Sequence, residues 1–339
     1  MRNCARTCGV FLSTVVALLS AAVRADEPAK IIRVGMIGLD TSHVIAFSSI
    51  LNDPKNEGDL AGVKVVAGFP GGSPDIPSSR DRVKEYTEQL RGKGIEIVDS
   101  IDELLKKVDV VLLMSVDGRP HLEQAKPVLA AGKTLYIDKP FAGSLADALE
   151  IARLAKEKKV PLFSSSSTRF ASGVQAARRG ESPAGEVRGC EAFSPCSLEP
   201  HHPDLFWYGI HGVEILFTLM GPGCESVTRV NTKGTDVAVG VWKDGRVGTF
   251  RGIRDGKADY GATVYGKKAV APAGPYEGYK PLVVEIAKFF KTGKPPIDIA
   301  ETLEIMAFME AADESKRQGG APVSIESVMK KAAKPGAKE

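Results

Sequence analysis

The chain is poor in cysteine, with five in 339 residues. Cys4 and Cys8 precede the first apolar stretch, which leaves Cys190, Cys196 and Cys224. So sparse and odd a set excludes a disulfide scaffold, and leaves open a single Cys190–Cys196 bond. A long apolar run is also missing. Gly9 to Ala22 is apolar but too short to span a bilayer. It follows Arg2 and Arg6 and leads into Val23-Arg24-Ala25 and then Asp26-Glu27-Pro28. This is the pattern of a secretory signal, residues 1–25, cut after Ala25; an uncleaved N-terminal anchor is the alternative. No arginine pair precedes the run, so export of a folded, cofactor-loaded protein is not signalled. Nor do Cys4 and Cys8, lying before the run, suit a lipid anchor. Finally, the chain lacks an excess of either charge. Its 45 basic residues face 42 acidic ones, and the first 25 residues hold three arginines and no acid. The remainder is neutral, and nothing points to nucleic acid. A periplasmic or secreted protein is expected, without membrane association after cleavage. Its length suits two domains, each with its own core.

What is present is alternation. Ile31 to Ile37, Val63 to Phe69, Val108 to Met114, Thr134 to Ile137 and Leu162 to Ser166 read as strands. Between them, Ser42 to Leu51, Asp81 to Leu90, Ile101 to Lys107, His121 to Ala131 and Leu145 to Lys158 read as helices. Leu145, Ala148, Leu149, Ala152 and Ala155 recur at helical spacing. The fold class is α/β: a Rossmann-like doubly wound parallel sheet over residues 26–160. Residues 161–339 read as an α+β domain with an open antiparallel sheet. Its hairpin runs from Asp236 to Trp242 and from Val247 to Ile253. It ends in helices Tyr279 to Thr292 and Glu301 to Gln318, the last packing back on the first domain.

A dinucleotide fold wants Gly-x-Gly-x-x-Gly after the first strand. Gly38 is present, but Asp40 and His43 replace the other two glycines. Asp40 places an anion where the pyrophosphate approaches. At 4 Å and an effective dielectric of 20 the repulsion is about 4 kcal/mol. Turning away relieves it, since Asp40, Thr41 or Ser42 each suits a helix N-cap. No acid stands at the end of the second strand to grip a ribose. Arg80 and Arg82 could reach a 2′-phosphate or simply be solvated. Gly71 to Ser79 reads as a plain surface loop.

Asp138-Lys139-Pro140 ends a buried strand at the sheet edge where ligands bind in such folds. Proline holds the residue before it out of the helical region. From position alone, Lys139 is either a solvated loop lysine or a cation polarising a substrate oxygen. His201-His202-Pro203-Asp204 contains metal-ligand types but has no second cluster, so no metal is expected. Ser164 to Ser167 either bonds a polyol or is a solvated strand end.

These pieces resemble the glucose-fructose oxidoreductase and inositol dehydrogenase family (Gfo/Idh/MocA) from about Ile31 to Ile325. The resemblance rests on Val34-Gly-Met-Ile-Gly38, Ser115 with His121, Ala131 to Pro140 with Asp138 for the usual Glu, the helix from Leu145, and Arg169-Phe170. It implies an oxidoreductase using NAD or NADP on a small sugar or polyol, and a homo-oligomer. Gly38, Asp40, Thr41, Ser42, Ser115, His121, Asp138 and Lys139 would contact the cofactor. Lys139 would also contact the reacting hydroxyl. Trp207 to Glu214 looks like the family's active-site helix, with His211 as its histidine and proton carrier. Trp207 replaces a carboxylate four residues earlier, on the same helical face. Arg169, Trp207, Tyr208 and His211 would contact substrate. A redox-neutral reaction with retained cofactor would suit export. The alternative is a carbohydrate-binding protein that kept the fold and lost the nucleotide.

Overall fold

The apolar strands are covered on both faces and pair into one parallel sheet. A computed structural model describes Met1 and residues 31–334. The expected signal and its cleavage site lie outside the described residues. The strands are β1 (Ile32–Ile37), β2 (Val63–Phe69), β3 (Glu96–Ile97), β4 (Val110–Leu113), β5 (Thr134–Ile137) and β6 (Leu162–Ser164). They lie in the order β3-β2-β1-β4-β5-β6 with every pair parallel. Between them run α1 (Ser42–Leu51), α2 (Pro77–Gly92), α3 (Ile101–Lys107), α4 (His121–Ala130) and α5 (Leu145–Lys158). β4 is Val-Val-Leu-Leu and wholly buried, as a strand covered on both faces must be. Ser100 and Ser144 cap α3 and α5, each accepting a backbone N–H; such a cap stabilises by about 1 kcal/mol. The strand order reverses between β1 and β4, which opens a crevice at the C-terminal edge.

The second sheet follows α6 (Ser172–Arg178). It contains β7 (Val187–Pro195), β8 (Cys224–Asn231), β9 (Thr235–Trp242), β10 (Val247–Ile253), β11 (Gly261–Gly266), β12 (Val270–Pro272) and β13 (Val323–Ser324). Their order is β12-β11-β7-β10-β9-β8-β13. The sheet is mixed, because β7 and β10 pair in parallel while the other neighbours are antiparallel. Its helices are α7 (Asp204–Trp207), α8 (Ile210–Met220), α9 (Lys280–Thr292), α10 (Ile299–Arg317) and α11 (Ile325–Ala332). α8 covers β7 and β10, and α10 covers β8. The opposite face is open and carries exposed Val230, Val241, Val247, Tyr265 and Val270.

Three expectations change here. β6 belongs to the first sheet, so the boundary falls after Ser164 and not at 160. α10 and α11 do reach α5, but α9 is the helix most fully committed to the first sheet. Its Leu282, Val283, Ile286 and Phe289 share a core with Val34, Met36 and Phe163. From Ile31 onward the chain is therefore one compact unit. Second, Gly71 to Ser79 is no plain surface loop, since Ser73, Ile76 and Ser79 are buried. Third, Cys190, Cys196 and Cys224 are all free and buried. Cys190 lies on extended β7 and Cys196 just beyond it. At about 3.3 Å per residue they are roughly 20 Å apart, which no disulfide spans.

Candidate active site

The turn after β1 is tight because it packs onto the chain leaving β4. Gly38 has φ +82°, and a Cβ there would sit 2.5 Å from the Ser115 backbone. Only glycine fits. Asp40, which follows, is fully buried. Its carboxylate accepts the Val116 N–H at 2.9 Å and the Ser79 hydroxyl at 2.6 Å. Burial raises this carboxyl above its ordinary range, against those two hydrogen bonds. The N-cap of α1 is Thr41, whose hydroxyl accepts the His43 N–H at 3.4 Å. Asp40 is thus neither a cap nor an anion facing a ligand. It ties the β1 turn to the exit of β4 and to the start of α2.

Ser115 and His121, expected at the cofactor, are spent internally. Ser115 Oγ donates to Gln124 at 2.8 Å. The His121 ring is fully buried between the Ser115 and Phe141 carbonyls, at 2.9 and 3.2 Å. Burial lowers its pKa, so the ring is neutral and donates one proton. Its work is to brace the exits of β4 and β5.

At the end of β5, Asp138 Oδ2 lies 2.6 Å from His43 Nδ1. Burial penalises the Asp138 charge, but His43 and Lys139 outweigh it and hold the carboxyl below its ordinary value. Lys139 precedes a cis peptide to Pro140 and is 8% exposed. Its Nζ stands 5.5 Å from the centre of the Tyr208 ring. That Nζ makes no ion pair or hydrogen bond among the described residues, and Lys139 is no solvated loop lysine.

His211 occupies the first turn of α8 and is buried. Its Nδ1 lies 2.7 Å from Ser166 Oγ. Its ring meets Tyr208 at 5.0 Å and Tyr260 at 5.6 Å. Burial, then the charges of Lys139 and His43, push its pKa well below 6.5. Trp207 does not share its helical face. α7 ends at Trp207, and Tyr208-Gly209 separates it from α8. Trp207 packs on His202 at 4.9 Å, and Tyr208 takes the place beside Lys139 and His211.

Arg169 is tied on two of its three guanidinium nitrogens, and its Nη2 is buried with no partner among the described residues. It is buried, with Nε 2.6 Å from Glu214 and Nη1 2.6 Å from Glu301. This trio joins the chain after β6 to α8 and α10. Ser165, Ser166 and Ser167 are buried and bonded internally, Ser167 to the Tyr276 hydroxyl at 3.0 Å. His201 bonds to Glu199 and His202 to Asp117. Among the described residues, no group of three or more His, Cys, Asp or Glu side chains suits a metal ion.

The sequence reading named His43 only as a replacement for a turn glycine and missed Tyr260, Tyr276 and Tyr279. Tyr208 and Tyr260 bring their hydroxyls to 3.3 Å, and Tyr276 packs on both Tyr260 and Tyr279. Tyr279 meets the His43 ring edge-on at 4.7 Å. Two tyrosines within a Gly- and Pro-containing stretch, 273–279, were the available signal. Two cavities of about 620 Å³ lie elsewhere, one bordered by Arg119 and Lys316, the other by Arg188 and Lys268. Neither is lined by Lys139 or His211.

Residues 73–166 match the model of an oxidoreductase family with an NAD-binding Rossmann fold, Gfo/Idh/MocA. Over this segment the chain resembles the Gfo/Idh/MocA family. The matched segment contains Asp138, Lys139 and Pro140 but not the β1–α1 turn. YhhX of Escherichia coli K12, an uncharacterized oxidoreductase, is 29% identical over 138 residues. That match covers 38% of this chain and 40% of YhhX, under half of the relative's length. Among solved structures, myo-inositol 2-dehydrogenase from Lactobacillus plantarum superposes with a TM-score of 0.71 at 14% identity, covering 87% of this chain and 99% of that one. An oxidoreductase from Agrobacterium radiobacter, in complex with NAD+, L-tartaric acid and magnesium, gives 0.68 at 17%, covering 88% and 99%. These likenesses show the fold.

Proposed function

We propose that this protein is a Gfo/Idh/MocA-like, NAD- or NADP-dependent oxidoreductase acting on a CH–OH group of a sugar or polyol. The observation that carries the reading is the convergence of Lys139 and His211 on Tyr208 at the sheet's C-terminal edge. The site residues fit a dinucleotide. Asp40 faces inward, which removes the anion from the pyrophosphate's approach. The Thr41 and Ser42 amides at the N-terminus of α1 have no partner among the described residues and would hold a phosphate. When bound, the nicotinamide supplies the hydride acceptor.

The chain's own groups do the rest. The Lys139 ammonium polarises the substrate hydroxyl and stabilises the alkoxide that develops. His211 is neutral and receives the hydroxyl proton. Tyr208 and Tyr260 offer faces on which a sugar ring stacks. The buried setting excludes water, which strengthens each of these electrostatic effects.

Export is part of the proposal, supported by the signal-like N-terminus. Outside the cytoplasm there is no free nicotinamide pool, so the cofactor would be retained through a redox-neutral reaction. Calorimetric titration of the protein with NAD and NADP tests the cofactor assignment. Saturable binding of at least one is expected. Binding of sugars with no binding of either nucleotide would overturn it in favour of a carbohydrate-binding protein.

A further inference from the structure

Counting protons around His211 assigns its tautomer. The Thr168 hydroxyl lies 2.9 Å from the His211 carbonyl, which can only accept, so Thr168 spends its one proton there. Ser166 Oγ lies 2.9 Å from Thr168 Oγ1. With the Thr168 proton committed, Ser166 must be the donor in that bond. Ser166 Oγ also accepts the Thr168 N–H at 3.3 Å. Its single proton is then spent as well. The remaining contact, 2.7 Å to His211 Nδ1, holds a proton only if Nδ1 carries it. The opposite assignment, with Ser166 donating to Nδ1, leaves the 2.9 Å contact between two oxygens with no hydrogen.

We infer that Ser166 and Thr168 are positioning residues that fix His211 as the Nδ1–H tautomer, leaving Nε2 unprotonated and able to take the substrate's proton. The family resemblance leads one to expect a carboxylate at position 207, where this chain has tryptophan. Here a serine-threonine relay after β6 orients the ring instead. The inference rests on reading His211 as the proton acceptor. In the step itself, the O–H bond of the substrate breaks and an Nε2–H bond forms. A bound nicotinamide would take the hydride from the same carbon.

The test is imidazole NMR on the full chain carrying 15N-labelled histidine, with His211→Asn identifying the His211 signals. The wild type should show the Nδ1–H form without any nucleotide or substrate. In Thr168→Val, Ser166 loses its acceptor and turns its proton to Nδ1, so the tautomer should switch to Nε2–H. That variant should lose about a hundredfold or more in kcat with KM little changed, and Thr168→Ser should restore both readings. An Nε2–H ring in the wild type, or an unchanged ring in folded Thr168→Val, overturns the inference. The spectrum needs no turnover. The expected tautomer in a protein that oxidises nothing would therefore fault the functional reading alone.

Discussion

At the scale of single residues, the candidate site sets Lys139 near an imidazole whose charge is controlled by what surrounds it. Burial and the nearby positive groups hold the His211 pKa well below 6.5. A proton acceptor must be neutral, so activity is lost as pH falls through the folded-state pKa. The acid limb of kcat/KM, which reports the free enzyme, is therefore expected below pH 6.5, with a flat profile through neutrality. An acid limb at or above 6.5 would show that His211 is not the group that accepts the proton. Lys139 and His211 stood out as candidates because each sits in a local pattern, a strand-ending Asp-Lys-Pro and a helix-starting Tyr-Gly-Ile-His, and both lie beside Tyr208. The ion pairs of Arg169 were not legible, because its partners Glu214 and Glu301 lie 45 and 132 residues away.

At the scale of elements, the strands and helices of the first sheet followed their apolar periodicity closely. α1, β2, α3, β5 and α5 begin and end where the sequence places them. Trp207 failed at this scale, because four-residue spacing looks the same on one helix and on two short ones. Asp40 failed because its orientation is set by Ser79 and Val116, 39 and 76 residues distant. Asp40→Ala leaves a buried amide and hydroxyl unpaired, which costs about 1–3 kcal/mol. Denaturant unfolding should show that loss, and NAD affinity should not rise. Unchanged stability with tenfold tighter NAD binding would mean that the carboxylate faces the ligand after all.

At the scale of the whole molecule, the second sheet buries one face under α8 and α10 and leaves the other bare. Val241 and Val247 are directly opposed across β9 and β10 on that open face, as are Tyr265 and Val270 across β11 and β12. Exposed apolar side chains at such positions favour a homo-oligomer formed through this face. Native mass spectrometry of protein from the cell envelope reads both this assembly and the export signal. Subunits starting at Asp26 and associated as at least a dimer are expected. Monomers, or subunits starting at Met1, would contradict the corresponding proposal.

The most direct measurement of the central claim is nicotinamide reduction by the wild type and by Lys139→Met across a panel of sugars and polyols. Methionine keeps much of the lysine's apolar stem, so the fold and the melting temperature should hold. With at least one substrate the wild type should reduce the nicotinamide, and Lys139→Met should be slower by about 10²- to 10⁴-fold, the range for a positioned proton-transfer or polarising group. Equal rates in the two proteins, with the variant folded, would contradict a reaction centre built on Lys139.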